Sequence, residues 1–157
     1  MDTRDMVVII TGAGAGIGLA TARMFARAGA KVLITGRREA ALAAAAADDA
    51  NIEVLVADAS LPADAPRTVD KALTLWGRLD VLVNNAGAGS PMALGDATPA
   101  HLQMIYAANV FGPTLLAAAA LPHLERSKGC IINVSSSLAT KPIAGFADYA
   151  ASKSALE

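Results

Sequence analysis

The sequence has a single cysteine, Cys130, among its 157 residues, which excludes an internal disulfide framework and a cysteine-based zinc site. Charge is also scarce. Only 17% of the residues are charged and the net charge is −1, so no basic excess exists to neutralise nucleic-acid phosphates. Although the mean hydropathy is +0.44, no uninterrupted apolar run reaches the ~18–20 residues that span a bilayer. No basic region followed by an apolar stretch opens the chain, so no secretory leader is expected. These absences predict a cytoplasmic protein that binds neither nucleic acid nor membrane. What the sequence does have is apolar residues, 54% of the total. Much of that excess is alanine, as in the run Ala43 to Ala47, which suits close-packed helices. The length fits one domain with a substantial core.

Short apolar runs alternate with longer segments of helical character. The runs Met6–Ile10, Lys31–Thr35, Ile52–Ala57, Leu79–Val83 and Cys130–Val134 are nearly continuous rather than alternating. That is the pattern of strands buried on both faces of a parallel sheet, and it places Cys130 in the core as an unactivated thiol. Helices are expected over Ile17–Ala28, Glu39–Asp48, Ala65–Trp76 and from about Pro99 to Arg126. Thr98 can cap the last of these, and Pro99 at its first position loses nothing by lacking an N–H. Pro122 falls inside its span, leaving a kink or an earlier end open. His101 and His123 lie on this helix without metal-ligand spacing and are assigned to the surface or an interface. Such alternation gives an open α/β sheet with right-handed crossovers and ligands at the carboxyl ends of the strands.

A glycine-rich turn, Thr11-Gly12-Ala13-Gly14-Ala15-Gly16-Ile17-Gly18, joins the first strand to the first helix. Glycines there let the backbone approach a pyrophosphate, and the helix N-terminus supplies partial positive charge. The spacing is Thr-Gly-x-x-x-Gly-x-Gly, because the usual Gly-x-Gly-x-x-Gly read from Gly12 would end on Ile17. At the end of the second strand, an acid would bond the ribose of NAD and repel a 2′-phosphate. The chain has Thr35-Gly36-Arg37-Arg38 instead, and arginine binds a phosphate bidentately. NADP(H) is therefore expected over NAD(H). The other reading of Arg37 and Arg38 is as solvated charges opening the second helix.

The glycine-rich turn stands in order with four more motifs, and together the sequence resembles the short-chain dehydrogenase/reductase family. One of them is Asn109, in the long helix where the family has its catalytic asparagine. Trp76 to Gly87 resembles the family's fourth strand with its Asn84-Asn85-Ala86-Gly87 signature. Ile132-Asn133-Val134-Ser135-Ser136 resembles the fifth strand ending in the active-site serine, and Tyr149-Ala150-Ala151-Ser152-Lys153 matches Tyr-x-x-x-Lys. The resemblance runs from the first strand to the last residues. It implies a Rossmann-like doubly wound parallel sheet in the order 3-2-1-4-5. It also implies a catalytic set of Asn109, Ser136, Tyr149 and Lys153. Ser136, thirteen residues before Tyr149, has the family spacing that selects it over Ser135 and Ser137. The implied cofactor contacts are Gly12, Gly14, Gly16, Ile17, Gly18, Arg37, Asp58, Asn85, Ala86 and Gly87, with Tyr149 and Lys153. Asp58 serves equally as a turn former, and Asn85 as a brace for the strand end.

Tyrosine and lysine at i and i+4 share a helical face, and a neighbouring ammonium favours the phenolate over the phenol. Tyr149 can then exchange a proton with a carbonyl or alcohol oxygen that Ser136 holds. Lys153 would hold the nicotinamide ribose, and Asn109 would anchor a water that relays protons. The expected activity is hydride transfer between a nicotinamide and a small-molecule carbonyl or secondary alcohol. The alternatives are a non-catalytic NADP(H)-binding module and, more distantly, a methyltransferase-like domain. Family members continue past the Tyr-x-x-x-Lys helix with further strands and a substrate-closing segment. The expectation is therefore one NAD(P)-binding domain over residues 1–157, truncated at its C-terminus with the later strands missing. Its fifth strand would form a bare edge. A homo-oligomer is expected through the long helix near 99–126. The resemblance allows 3-oxoacyl-carrier-protein reductases, steroid or sugar-alcohol dehydrogenases and ketone reductases alike.

Overall fold

The structure, a computed structural model, describes residues 3–157. Five strands, β1 (Val7–Thr11), β2 (Lys31–Gly36), β3 (Ile52–Val56), β4 (Val81–Asn84) and β5 (Cys130–Asn133), form one sheet in the order β3-β2-β1-β4-β5. Every neighbouring pair is parallel. The expected strand order is correct, and each strand lies within two residues of its expected bounds. Between the strands run α1 (Gly16–Arg27), α2 (Glu39–Ala46), α3 (Asp64–Trp76) and a long helical segment before β5, and α6 (Ala147–Leu156) follows β5.

The pleat of β1 divides the core. Val8 and Ile10 point to the face covered by α1 and α2, where they meet Ala22, Ala26, Leu42 and Ala45. Val7 and Ile9 point the other way, against Val69 and Ala72 of α3 and against Leu116, Ala120 and Leu124. All four β1 side chains are buried, which explains why β1 reads as a continuous apolar run. Asp80 pins the start of this central strand: it is buried, accepts the Val7 N–H at 2.8 Å, and is gripped by the Arg78 guanidinium.

The long segment comprises α4 (Pro99–Tyr106), a π-helical turn (Ala107–Phe111) and α5 (Gly112–Ser127). Thr98 caps it as expected, its hydroxyl accepting the His101 N–H at 3.2 Å. The helix continues through Pro122 to Ser127. Without an uninterrupted apolar run, Pro99–Ser127 is nonetheless long and apolar enough, by length and composition alone, to cross a membrane. Alanines interspersed with a few polar residues carry its hydropathy without an uninterrupted run. Its inward side chains Leu116, Ala120 and Leu124 pack on the sheet.

Cys130 is exposed rather than part of the core. It lies on β5, which among the described residues pairs with β4 alone, and all four β5 residues are exposed, so the strand that reads as fully buried lacks cover over its faces.

Candidate active site

The order of the strands reverses between β1 and β4, and a cleft of about 470 Å³ opens there at the carboxyl ends of the strands. Its lining includes Gly12 and Gly14 of the first turn, Gly36, Arg37 and Arg38 after β2, Asp58 after β3, and Asn85, Ala86 and Gly87 after β4. Such a switch point is where open α/β sheets bind ligands. Of the expected contacts, Gly16, Ile17, Gly18, Tyr149 and Lys153 do not line the cleft. Ile17 is 67% exposed and Gly18 is buried beneath the turn.

The turn is built by close backbone approach. Gly12 has φ +66, and a Cβ there would stand 2.8 Å from the Ala86 Cα, so β1 and β4 can close together only on a glycine. A Cβ on Gly18 would meet the Asn85 amide nitrogen at 2.5 Å and the Ala13 Cα at 2.9 Å. The Asn85 amide donates to the carbonyls of Thr11 and Gly12 at 2.8 and 3.3 Å. The Thr11 hydroxyl accepts the N–H groups of Asn85 and Ala86 at 3.1 and 3.0 Å. Asn85 therefore braces the strand end and also lines the cleft. Asp58 likewise forms a turn, its carboxylate accepting the Ser60 N–H and hydroxyl at 2.9 and 2.7 Å, while facing the cleft.

The cleft suits an anionic ligand. Helix α1 starts beside it with no side-chain cap and no acid in its first turn, so its first N–H groups are left for a ligand. Arg37 and Arg38 are exposed at its rim, and neither forms an ion pair among the described residues. A dinucleotide phosphate backbone fits that donor set, held by the turn, the α1 N-terminus and these guanidiniums.

A second group of side chains meets at Gly87. Asn109, fully buried in the π-helical turn, accepts the Ala88 N–H and donates to the Ala88 carbonyl, both at 2.8 Å. Its amide also donates to the Ser152 hydroxyl at 2.9 Å. Pro113 has no N–H to give the Asn109 carbonyl four residues back, and the Gly112 N–H reaches Ala107 instead, widening the turn. A Cβ on Gly87 would lie 3.2 Å from Asn109 Oδ1 and 3.3 Å from Lys153 Nζ. Lys153 is 3% exposed and donates to the Val134 carbonyl at 2.8 Å. Burial holds its ammonium below the ordinary 10.5, and no carboxylate pairs with it among the described residues. Its Nζ lies 6.0 Å from the Tyr149 ring centre.

Ser136 caps a short turn after β5, Ser137–Ala139, where its oxygen accepts the Leu138 N–H at 3.2 Å and leaves its proton to donate. Ser152 is a residue that sequence reasoning missed. Buried within Tyr-x-x-x-Lys, it donates to the Tyr149 carbonyl at 2.7 Å while accepting from Asn109, so it joins the π-helical turn to α6. Its only sequence signal is a small hydroxyl residue at one of the motif's unspecified positions.

Residues 6–157 match the family model described as short chain dehydrogenase. The chain belongs to this family. Among short-chain dehydrogenase relatives, a hydroxysteroid 11-beta-dehydrogenase 1-like protein of Xenopus tropicalis is 40% identical over 155 residues, 96% of this chain and 54% of that protein. A granaticin polyketide synthase putative ketoacyl reductase 2 of Streptomyces violaceoruber is 40% identical over 153 residues, 93% of this chain and 61% of that protein. The L-fucose dehydrogenase of Bos taurus is 34% identical over 151 residues, 96% of this chain and 56% of that protein. The chain thus spans little more than half the length of these curated relatives.

Proposed function

We propose that this chain is an oxidoreductase that interconverts a small-molecule carbonyl and a secondary alcohol, using NADP(H) in preference to NAD(H). The observation that carries the reading is the placement of Lys153. A desolvated ammonium without a carboxylate partner among the described residues lies on the helical face of Tyr149, beside the rim glycine of the cleft. A buried, uncompensated charge is costly and has to serve something.

In this reading the first turn, the α1 N-terminus and Asn85 to Gly87 hold the dinucleotide, with Gly16, Ile17 and Gly18 shaping the helix start. Arg37, with Arg38, takes the 2′-phosphate, and Asp58 faces the adenosine end. The bound nicotinamide supplies or accepts the hydride. Tyr149 gives a proton to the substrate oxygen in reduction and takes it back in oxidation. Ser136 donates its free hydroxyl proton to the same oxygen and holds it toward Tyr149. Lys153 has donors beyond its bond to Val134 and turns them to the nicotinamide ribose. Asn109 holds the π-helical turn, where its main-chain carbonyl accepts from a water that restores the Tyr149 proton.

The printed names of relatives span steroid, ketoacyl and sugar chemistry, which supports the carbonyl and alcohol class and no single substrate. The long helix leaves Leu102, Phe111, Leu115 and Leu121 exposed, which supports association of copies through this element.

A panel of ketones and aldehydes mixed with NADPH, and separately with NADH, tests the reading. Loss of nicotinamide absorbance with at least one substrate, faster with NADPH, is expected. Saturable NADPH binding without turnover on any carbonyl would replace it with a non-catalytic binding module.

A further inference from the structure

Helix α6 carries Tyr149 and Lys153, and a part-buried pair outside the Tyr-x-x-x-Lys motif joins it to α4. His101 of α4 and Asp148 of α6 meet with Nε2 and Oδ2 2.6 Å apart, their side chains 18% and 6% exposed. The pair is thus part of the packing between α4 and α6, where the sequence reading placed His101 at the surface or an interface. Asp148 immediately precedes Tyr149 in the first turn of α6. No side chain caps that helix at Phe146, so Asp148 is its one acidic contact with the exposed N–H groups. Burial pushes the Asp148 carboxyl up. Hydrogen bonds from the His101 ring and from the Tyr149 and Asp148 N–H groups outweigh it and leave the carboxyl below its ordinary 3.8.

The Tyr149 ring has little freedom around this point. A Cβ on Gly89 would lie 2.4 Å from Tyr149 Cδ2, so the ring rests directly on the loop after β4. Phe146 packs against it in a T-shaped contact, with ring centres 6.3 Å apart. A shift of the first turn of α6 therefore moves the ring against the Gly89 loop, which does not move with it. We propose that His101 is a positioning residue for Tyr149, acting through Asp148 as a clasp between α4 and the first turn of α6. The clasp complements the Asn109–Ser152 link, which reaches the same helix at the Tyr149 carbonyl. Its catalytic consequence rests on the function proposed above; its structural content does not.

Tyr106 and Tyr149 are the two tyrosines of the chain, so 3-fluorotyrosine labelling gives two fluorine resonances, assigned by Tyr149→Phe. In His101→Ala the Tyr149 resonance is expected to shift or broaden. In His101→Gln, whose amide N–H takes the place of the Nε2 donor, it should return to its wild-type position. A structural contribution alone would not be rescued in this way. In the active enzyme His101→Ala should lower kcat about tenfold with the cofactor KM unchanged, the scale of a small misplacement of a reacting group, and His101→Gln should restore it. A Tyr149 resonance unmoved in His101→Ala, or moved alike in both variants, overturns the proposal. A wild-type protein that turns over no carbonyl defeats the functional reading while the fluorine spectra still decide the clasp.

Discussion

Replacing Asn109 with alanine tests how the π-helical turn is held. The side chain is fully buried and makes three hydrogen bonds, two with the Ala88 backbone and one with Ser152. Its removal strands the Ala88 N–H and carbonyl and takes one donor from the buried Ser152 hydroxyl. A buried polar group left without a partner costs about 1–3 kcal/mol. Ala88 is half-buried, so water relieves part of its share. Ser152 keeps its bond to the Tyr149 carbonyl. The sum is about 3 kcal/mol. With a urea dependence of about 2 kcal/mol per molar, the unfolding midpoint falls by about 1.5 M. Asn109→Asp should be at least as damaging, since it keeps the acceptor for Ala88 but loses both donated bonds and places a charge in a dry site. Equilibrium urea unfolding followed by circular dichroism measures both. A midpoint lowered by less than about 0.5 M in each variant would refute the assignment of these bonds as the brace of the turn.

Arg37→Ala with Arg38→Ala should cut NADPH affinity about 10–100-fold and leave NADH affinity nearly unchanged, from loss of charge-assisted phosphate contacts; calorimetric titration with each cofactor reads this. Gly18→Ala should lose about 1–3 kcal/mol of stability, because its Cβ would stand 2.5 Å from the Asn85 amide and 2.9 Å from the Ala13 Cα; thermal unfolding measures the loss. Lys153 carries a pH signature. Its folded value lies below the ordinary 10.5, so between the two the unfolded chain binds the extra proton and stability rises with pH. The cost of the buried ammonium is felt in full below that window. Wild type should therefore gain stability on Lys153→Met as the pH is raised from neutrality toward 10.5, and parallel profiles would contradict it.

Where the sequence was legible, the reason is local. Val7 to Ile10 and Val32 to Ile34 are buried on both faces, and an uninterrupted apolar run is the direct signature of that burial. The helix start at Thr98-Pro99 was legible because a cap and a proline act within one turn. The motif residues cluster because all of them lie at the carboxyl end of a strand or on a helix beside it. What escaped depends on contacts between distant segments. The Asn109–Ser152 bond spans 43 positions and the His101–Asp148 pair 47, and nothing near either partner signals the other. The π-helical turn needs both Pro113 and the Ala88 backbone to explain it. Cys130 was misplaced for a related reason: a run of apolar residues reports that a strand belongs to the sheet, not what packs over its faces.

The most direct test of the proposed function is the turnover of Tyr149→Phe under saturating NADPH and the best carbonyl of the panel, with NADPH affinity measured on the same sample. The account predicts turnover lowered by at least about a hundredfold, the scale of a lost general acid, with NADPH affinity within a few-fold of wild type. Turnover unchanged in the variant would contradict it.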